Sequence, residues 1–290
     1  MGDSITVGMP YFISGKGKSN GAYQNELEVI LRNNGVPSNI YNWGEGGEWT
    51  SEGVDRITDV LRSRSADLIL IMEGANDVKG GVSAQTVETN IRIMIIKSLQ
   101  HGVTPIVGTI TPNTRETRFD LWTRDVFNPR IISVAASMGV SLADQYEALR
   151  PGWESIPLNY DKLHPNYSGY QVIAETWNST IFPLPEATSG AAEQIGATAA
   201  VVKGIVYPNG SITKTYFEYG TSTNYTLSSE QYTIDAQEGS FGVSITLTGL
   251  KPFTIYHYRI VATNLGGTVY GDDRTFRTYG SLPWLHVLLE

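Results

Sequence analysis

The sequence predicts two domains, an α/β domain built on a parallel sheet and an all-β sandwich. Three observations predict this fold class. Helical and extended patterns alternate over residues 1–183, as in parallel α/β folds. Residues 184–195 contain Pro, Gly, Ser and several Ala, which indicates a linker. Over residues 196–279 the apolar period changes to two, which predicts short antiparallel strands, and residues 280–290 form an apolar tail.

Each element of the first domain is predicted from the spacing of its apolar residues. Stretches at helical spacing predict helices, and short apolar runs bounded by turn residues predict buried strands. For residues 115–127 two interpretations stay open, a mobile cover over a pocket or another packed helix. In chain order the other predicted elements are a helix over 21–34, a strand over 39–43, a helix capped by Thr50, a strand over 67–72, a helix from Ser83, strands over 103–110 and 140–143, and a helix over 168–177.

Composition and charge argue against several classes of protein. The 290 residues carry a net charge of −8, which argues against a nucleic-acid partner. Residues 1–195 hold 15 Lys and Arg against 22 Asp and Glu, whereas residues 196–279 hold six of each. The chain has no cysteine, so disulfides and thiolate nucleophiles are excluded. No apolar run approaches the roughly 20 residues of a membrane-spanning helix.

Four short polar motifs, each weak alone, occur in the first domain. They lie at predicted strand ends or just before the closing helix, and in parallel α/β sheets ligands bind at the carboxyl ends of the strands. The motifs are Gly2-Asp3-Ser4-Ile5-Thr6, Asn42-Trp43-Gly44-Glu45-Gly46-Gly47, Gly74-Ala75-Asn76-Asp77 and Asp161-Lys162-Leu163-His164-Pro165. Their order along the chain makes the set more specific than any one member.

A serine in one motif and a histidine in another suggest nucleophilic catalysis. A serine hydroxyl needs a general base within hydrogen-bond reach to act as a nucleophile at neutral pH. Of the four histidines, His164 alone has an acidic neighbour in a predicted sheet-edge loop, because Asp161 lies three residues before it. Structural roles are expected for the others, since His101 ends a predicted helix, His257 lies in a predicted strand and His286 lies in the apolar tail.

In this order and spacing the four motifs resemble those of the SGNH (GDSL) hydrolase family, serine esterases and lipases with a flavodoxin-like three-layer α/β sandwich. The resemblance covers about residues 1–183. It implies that Ser4 is the nucleophile and that Asp161 and His164 complete a catalytic triad. It also implies an oxyanion hole made by the Ser4 N–H, Gly47 and Asn76. Hydrolysis would then proceed through an acyl-serine intermediate.

The function that this resemblance predicts is hydrolysis of carboxylic esters with a short acyl group, on a small-molecule or carbohydrate substrate. Two alternatives stay open, a carbohydrate deacetylase of the acetyl xylan type and a polysaccharide- or surface-binding protein with an inactive hydrolase domain. Asp3 and Asp77 suggest a carboxylate pair for glycoside hydrolysis, but we expect them to brace loops by hydrogen bonds. No cofactor and no metal are predicted, since the zinc-helix spacing His-Glu-x-x-His is absent.

The N-terminus departs from the family pattern. In the family a buried strand runs into the Gly-Asp-Ser turn, whereas only Met1 precedes Gly2 here. We therefore expect a fold with its first strand missing, a truncated form of a longer gene, and a full-length protein that is extracytoplasmic or secreted. The apolar run 283–289 is interpreted as a frayed tail, and the alternative is a replacement strand, supplied within the chain or exchanged in a homodimer.

Residues 196–279 resemble a fibronectin type III domain of the kind attached to bacterial secreted enzymes. Segments 216–220, 250–259 and 262–264 carry this resemblance. It implies that Tyr256 belongs to a tyrosine corner, in which the hydroxyl ties a loop to the backbone. The many tyrosines are expected to form cross-strand pairs, with a sugar-binding platform as the alternative. The expected role of this domain is that of a spacer or of a module that keeps the enzyme near its substrate.

Overall fold

The chain forms two compact units, Met1–Ile181 and Phe182–Glu290, which are described in turn. The residues that the computed structural model describes are 1–9, 22–155, 158–236 and 239–280. The apolar run 283–289 lies outside these residues, so strand replacement and exchange in a homodimer stay predictions. Within the same described ranges, every helix is too short or too polar to cross a membrane.

The first unit alternates helices and short strands in nearly the predicted order. Its strands are β1 (Leu68–Ile71), β2 (Thr104–Gly108) and β3 (Ser141–Ala143). Its α-helices are α1 (Ser4–Val7), α2 (Tyr23–Asn33), α3 (Thr50–Ser63), α4 (Ala75–Gly80), α5 (Ala84–Gln100), α6 (Thr117–Trp122), α7 (Asn128–Met138), α8 (Gln145–Leu149) and α9 (Tyr167–Ile181). Gly21, with which the first long helix was predicted to begin, lies outside the described residues.

The three strands form a parallel sheet in the order β1-β2-β3, which confirms the predicted α/β class. In the pairing of β1 with β2, Leu68 lies opposite Thr104. Two isolated parallel bridges continue the sheet beyond β1. Gly2 pairs with Met72, just after β1, and on its other side with Gly44. Backbone from three separate motif regions therefore meets at the carboxyl end of β1.

The predicted strand over residues 39–43 is wrong. Only Gly44 pairs with a neighbour there, through its bridge to Gly2. A strand needs backbone partners along its whole length, and between Gly44 and β1 the described backbone supplies only Met1 and Gly2. These two residues occupy the place of a strand, since the terminal ammonium of Met1 donates to the carbonyl of Leu70 at 2.7 Å.

The long helices pack with their predicted apolar faces inward. Helix α5 begins after Ser83, whose hydroxyl accepts the backbone N–H of Thr86 at 3.1 Å. Helix α9 buries Tyr170 and Trp177 completely. The buried apolar residues of α5 recur at helical spacing and are Val87, Ile91, Met94 and Ile95.

Thr50 does not cap the helix that it was predicted to begin. Helix α3 starts at Thr50 itself and Trp49 occupies the N-cap position, with its backbone N–H held by the Glu52 carboxylate at 2.9 Å. Thr50 instead donates its backbone N–H and its hydroxyl to the Asp77 carboxylate at 3.0 and 2.7 Å. The Thr50 side chain therefore bonds the buried Asp77 carboxylate and does not cap its own helix. Asp77 is 27 residues away in the chain, so the local sequence does not predict this contact.

Residues 115–127 are largely helical, through α6 and a wider π-helical turn over Thr123–Phe127. Phe119 and Phe127 are buried, and the Tyr146 hydroxyl donates to Asp120 at 2.9 Å. These contacts favour the packed helix over the mobile cover.

The second unit consists of antiparallel strands, and none of its described residues is helical. Its strands are β4 (Glu186–Glu193), β5 (Ala199–Tyr207), β6 (Thr213–Gly220), β7 (Leu227–Ser228), β8 (Tyr232–Ile234), β9 (Phe241–Thr248), β10 (Ile255–Asn264), β11 (Gly267–Tyr270) and β12 (Arg274–Arg277). One sheet contains β4, β5 and β9, and the other contains β6, β7, β8, β10, β11 and β12. A buried apolar core includes Val202, Phe217, Ile245 and Ile260.

The predicted linker over residues 184–195 is wrong, because β4 occupies most of it. Strand β4 pairs with β5 and contains a register shift between Ser189 and Ala192. A Cβ on Gly190 would lie 2.9 Å from the carbonyl oxygen of Lys203, so the glycine permits a close approach of the two backbones. The small residues that suggested flexibility serve strand packing here.

Two tyrosines of the second unit, Tyr219 and Tyr256, take part in its packing. Tyr256 is buried, and its hydroxyl accepts the backbone N–H of Lys251 at 2.9 Å, which ties the loop before β10 to the sheet. Its ring stacks on Phe276 with centroids 5.7 Å apart and lies 6.5 Å from the ring of Tyr219. These contacts agree with the predicted cross-strand pairs.

Candidate active site

Ser4 follows the Gly2 bridge directly and is the first residue of α1. Asp3 is the N-cap of this short helix, and its carboxylate accepts the backbone N–H of Ile5 at 2.9 Å. A Cβ on Gly2 would lie 2.5 Å from the carbonyl oxygen of Met72, so this position has no room for a side chain. The tight turn from sheet to helix places the Ser4 side chain, half-buried, at the carboxyl edge of the sheet.

A chain of hydrogen bonds joins Ser4 to the loop before α9. The Ser4 Oγ lies 3.0 Å from Nε2 of His164, and Nδ1 of His164 lies 2.9 Å from Oδ2 of Asp161. A ring proton on Nδ1 is donated to the carboxylate, which leaves Nε2 as the acceptor for the serine hydroxyl. The structure thus brings together the three residues predicted to form the triad.

Asp161 is held in its ionised form. Burial would raise the pKa of this carboxyl, but hydrogen bonds from the backbone N–H and the ring of His164 and from the Leu163 N–H outweigh burial and lower the pKa to about 2. The two backbone bonds measure 2.8 and 3.2 Å. The carboxylate is therefore ionised throughout the neutral range and favours a proton on Nδ1 of His164.

Residues 44–48, named here the glycine loop, connect the remaining motifs to Ser4. The backbone N–H of Glu45 donates to the carbonyl of Gly2 at 2.8 Å. On the opposite side, the Asn76 Nδ2 in α4 donates to the carbonyl of Glu48 at 2.9 Å. The glycine loop therefore bridges the segment that carries Ser4 and the helix that carries Asn76.

Two glycines of this loop meet different geometric demands. A Cβ on Gly44 would lie 2.5 Å from the backbone nitrogen of Val7, so a side chain there would push against α1. Gly47 has a φ of 85°, in the left-handed region that favours glycine, and it is exposed, with open space where a Cβ would be. Its peptide is thus accessible to a ligand, as an oxyanion donor must be.

Asp3 and Asp77 brace loops, as predicted. Asp77 accepts two hydrogen bonds from Thr50, and Asp3 accepts from the backbone N–H groups of Ile5 and Ala75. Both carboxyl groups are only 2% exposed. Groups that are buried and already bonded in this way do not face a substrate, so the structure argues against a carboxylate pair for glycoside hydrolysis.

Burial raises the pKa of Asp3 to about 7, against the opposing hydrogen bond from Ile5 and with smaller contributions from the charges of Glu48 and Asp77. The folded state thus prefers a protonated Asp3, whereas the unfolded chain ionises near pH 4. Ionised Asp3 therefore costs stability above the unfolded pKa, and this cost grows until the pH reaches the folded pKa.

We expect Asp3→Asn to become more stable relative to the wild type as the pH rises. The difference in free energy of unfolding should change by about 3 kcal/mol between pH 4 and pH 7, because Asn keeps the cap bond without a charge. Urea unfolding of both proteins at several pH values measures this. The terminal ammonium, whose pKa burial lowers to about 6, is common to both proteins and cancels. A difference that is independent of pH would contradict the buried-carboxyl account.

Sequence reasoning missed a buried charge cluster beneath the glycine loop. The carboxylate of Glu48 accepts from Nε and Nη2 of Arg56 at 2.7 and 2.5 Å, and Nη2 also donates to the Trp43 carbonyl at 2.9 Å. Burial, then the charge of Glu48, raises the pKa of Glu73 well above its usual range. The one sequence signal was Glu73 itself, a charged residue that ends the apolar run of β1.

Two other histidines have the structural surroundings that were predicted. His101 lies at the C-cap of α5, with Nδ1 2.8 Å from the carbonyl of Lys97. His257 lies in β10 and pairs with Asp273 at 2.9 Å. His286 lies outside the described residues.

A parallel α/β sheet with a hydrogen-bonded serine, histidine and aspartate at its edge is the arrangement typical of serine hydrolases. Residues 1–172 match the model of the GDSL-like Lipase/Acylhydrolase family. This match spans more than half of the chain, and the chain belongs to that family. No curated protein sequence matches it.

Solved structures of bacterial and environmental hydrolases share the fold. A member of the lipolytic G-D-S-L family from Veillonella parvula is 23% identical, with a TM-score of 0.51, covering 60% of this chain and 92% of that chain. An α/β hydrolase from the metagenome of Lake Arreo is 22% identical, with a TM-score of 0.54 and coverage of 62% and 91%. An acetylxylan esterase from Geobacillus stearothermophilus is 19% identical, with the same TM-score and coverage.

Proposed function

We propose that this chain is a serine esterase that hydrolyses short-chain carboxylic esters through an acyl-serine intermediate at Ser4. The observation that carries the proposal is the continuous hydrogen-bond chain from Ser4 through His164 to Asp161, with distances of 3.0 and 2.9 Å. Membership of the GDSL-like family supports a hydrolase independently of that geometry.

In the first half of the reaction, the Ser4 Oγ attacks the ester carbonyl while Nε2 of His164 accepts its proton. Ionised Asp161 stabilises the imidazolium that forms and keeps the ring oriented. The imidazolium then gives its proton to the leaving alkoxide, and the acyl group stays on Ser4. In the second half, water attacks the acyl carbonyl while Nε2 of His164 takes its proton. The imidazolium then returns this proton to the Ser4 Oγ as the bond between the acyl carbon and that oxygen breaks, which releases the acid and restores the serine.

The negative oxygen that forms during each half would be held by three N–H donors. The Ser4 N–H is at the first position of α1, where no intrahelical acceptor exists. Gly47 contributes a backbone N–H from the exposed loop. A primary amide has two hydrogens, and since Asn76 uses one to bond the Glu48 carbonyl, the other is left for the oxyanion and its plane is fixed.

Initial rates on p-nitrophenyl esters of increasing acyl length test this proposal. We expect the highest kcat/KM with acetate or butyrate and a decline with longer chains. A folded protein that hydrolyses none of these esters would contradict the proposal. That result, together with stable binding to an insoluble polysaccharide, would instead favour a binding protein with an inactive hydrolase domain.

Acetylated carbohydrate is a second candidate substrate, and the similarity of the fold to an acetylxylan esterase supports it. Acetate release from acetylated xylan, at rates comparable with those on p-nitrophenyl acetate, would favour a deacetylase. Release of acetate at less than about a hundredth of that rate would restrict the activity to simple esters.

We also propose that the second unit is a fibronectin type III-like sandwich that serves as a spacer or proximity module, and that the enzyme works outside the cytoplasm. Two antiparallel sheets and the bond between the Tyr256 hydroxyl and the Lys251 N–H support the first part. The resemblance of the second unit to domains attached to secreted enzymes supports the location.

A further inference from the structure

Residues 113–115, between β2 and α6, lie against the loop that supplies Asp161 and His164. The backbone N–H of Thr114 donates to the carbonyl of Lys162 at 2.9 Å. The Arg115 Nε donates to the backbone carbonyl of Asp161 at 3.2 Å, and its Nη2 forms an ion pair with Oδ2 of the same residue. Three contacts thus join two consecutive residues of this segment to two consecutive residues of the loop.

The oxygen that Arg115 contacts is the one that orients the imidazole. Oδ2 of Asp161 accepts from both Arg115 and the His164 ring, whereas Oδ1 accepts the backbone N–H groups of Leu163 and His164. Nε and Nη2 of one planar guanidinium thus bind the backbone carbonyl and the side-chain oxygen Oδ2 of the same residue. Arg115 therefore limits the rotation of the same carboxylate that sets the direction of the His164 ring.

The loop needs support from outside because its own backbone is strained. Lys162 has a φ of 67°, a left-handed conformation that is unfavourable for a residue with a side chain. Its N–H donates to the Asn159 side chain at 2.8 Å, and its carbonyl is the acceptor for Thr114. Two partners from different parts of the chain thus hold this residue in place.

The supporting segment is itself anchored. The buried Asn113 accepts the Arg115 backbone N–H through its side-chain oxygen at 3.3 Å. The Thr114 hydroxyl donates to Glu154. The Arg115 side chain therefore extends from a backbone that is already fixed. Because only the side chain has to be ordered, the contact with Asp161 costs less conformational entropy.

We propose that Arg115 is a positioning residue that holds the Asp161 carboxylate against His164. This inference rests on the proposed esterase function. Charged groups in this network of contacts are Asp161 and Lys162 of the loop, Glu154, which accepts from the Thr114 hydroxyl, and Arg115. Replacing Arg115 by a neutral residue takes a positive charge away from the neighbourhood of the ring, so the acid side of the pH–rate profile is expected to move to higher pH.

The test compares Arg115→Ala, Arg115→Lys and wild type by their pH profiles of kcat/KM on p-nitrophenyl acetate. We expect Arg115→Ala to shift the acid limb upward by about half a pH unit, an effect that shrinks in 1 M salt. Its kcat should fall about tenfold because the carboxylate loses its fixed orientation. Arg115→Lys should restore the position of the acid limb, since it keeps the charge, but not the full kcat.

Arg118→Ala is the matched control. Arg118 is an exposed arginine of the following helix α6 that pairs with Glu116 at 2.8 Å, so its loss changes the net charge equally without removing a contact to Asp161. It should leave both the acid limb and kcat at wild-type values. An Arg115→Ala profile that superimposes on that of Arg118→Ala would overturn the proposal.

The pH titration of the His164 ring protons by NMR, assigned by comparison with His164→Ala, separates this inference from the proposed function. The midpoint should rise in Arg115→Ala and return towards wild type in Arg115→Lys, whether or not esters are cleaved. An unchanged midpoint would overturn the inference, whereas absence of ester hydrolysis with a shifted midpoint would count against the esterase alone.

Discussion

Replacing Ser4 by alanine is expected to lower kcat/KM for p-nitrophenyl acetate by at least about 10³-fold. Within the described part of the chain, the Ser4 Oγ is the hydroxyl that bonds Nε2 of His164, at 3.0 Å. Without it, the base has no nucleophile to activate. The remaining rate would come only from the oxyanion donors acting on water. Initial-rate kinetics of purified variant and wild type provide the measurement.

Ser137→Ala is the matched control for this experiment. Ser137 is exposed in α7, and its hydroxyl donates to the backbone carbonyl of Val134 at 3.0 Å, away from the site. Its loss should leave kcat/KM unchanged. If Ser4→Ala retained a tenth or more of the activity while both variants melted like the wild type, the nucleophile would have to be elsewhere.

Asn76→Ala should lower kcat by about 10²–10³-fold with little change in KM. The side chain would donate to the oxygen only when it carries negative charge, so its loss affects the transition state more than substrate binding. The same substitution removes the 2.9 Å bond to the Glu48 carbonyl, which also frees the glycine loop. Steady-state kinetics on short esters gives both constants.

Asn90→Ala distinguishes oxyanion stabilisation from general loosening. The Asn90 Nδ2 donates to the Thr50 hydroxyl at 2.9 Å and so supports the neighbouring contact of Thr50 with Asp77. It should cost some stability and change kcat less than threefold. Equal losses of kcat in the two variants would indicate that Asn76 acts through the structure of the loops and not on the oxyanion.

The elements that the sequence predicted correctly are those whose local pattern agrees with their packing. Helix α5 has both a serine cap and an apolar face, and β1 is a continuous apolar run. The predicted strand 39–43 failed because strand formation depends on a neighbour that local sequence does not contain. The linker prediction over 184–195 failed because small residues fit close backbone packing as well as they fit flexible chain.

The predicted site residues are close in space because short motifs at sheet-edge loops converge in this kind of fold. The structure brings Ser4, Asp161 and His164 into hydrogen-bond reach, and it places Asn76 against the glycine loop. Arg115 was not identified, since it lies 46 residues from Asp161 and no local pattern links the two. Contacts of this kind depend on the fold and become visible only with it.

Covalent labelling with a fluorophosphonate tests the central claim most directly. Such reagents phosphonylate a serine only when an adjacent base activates it, and peptide mass spectrometry locates the adduct. We predict one adduct per chain, on the peptide that contains Ser4. Its amount should rise in proportion to the loss of ester hydrolysis. No adduct should form on Ser4→Ala or His164→Ala. Loss of activity with Ser4 unmodified and the adduct on another residue would contradict the account.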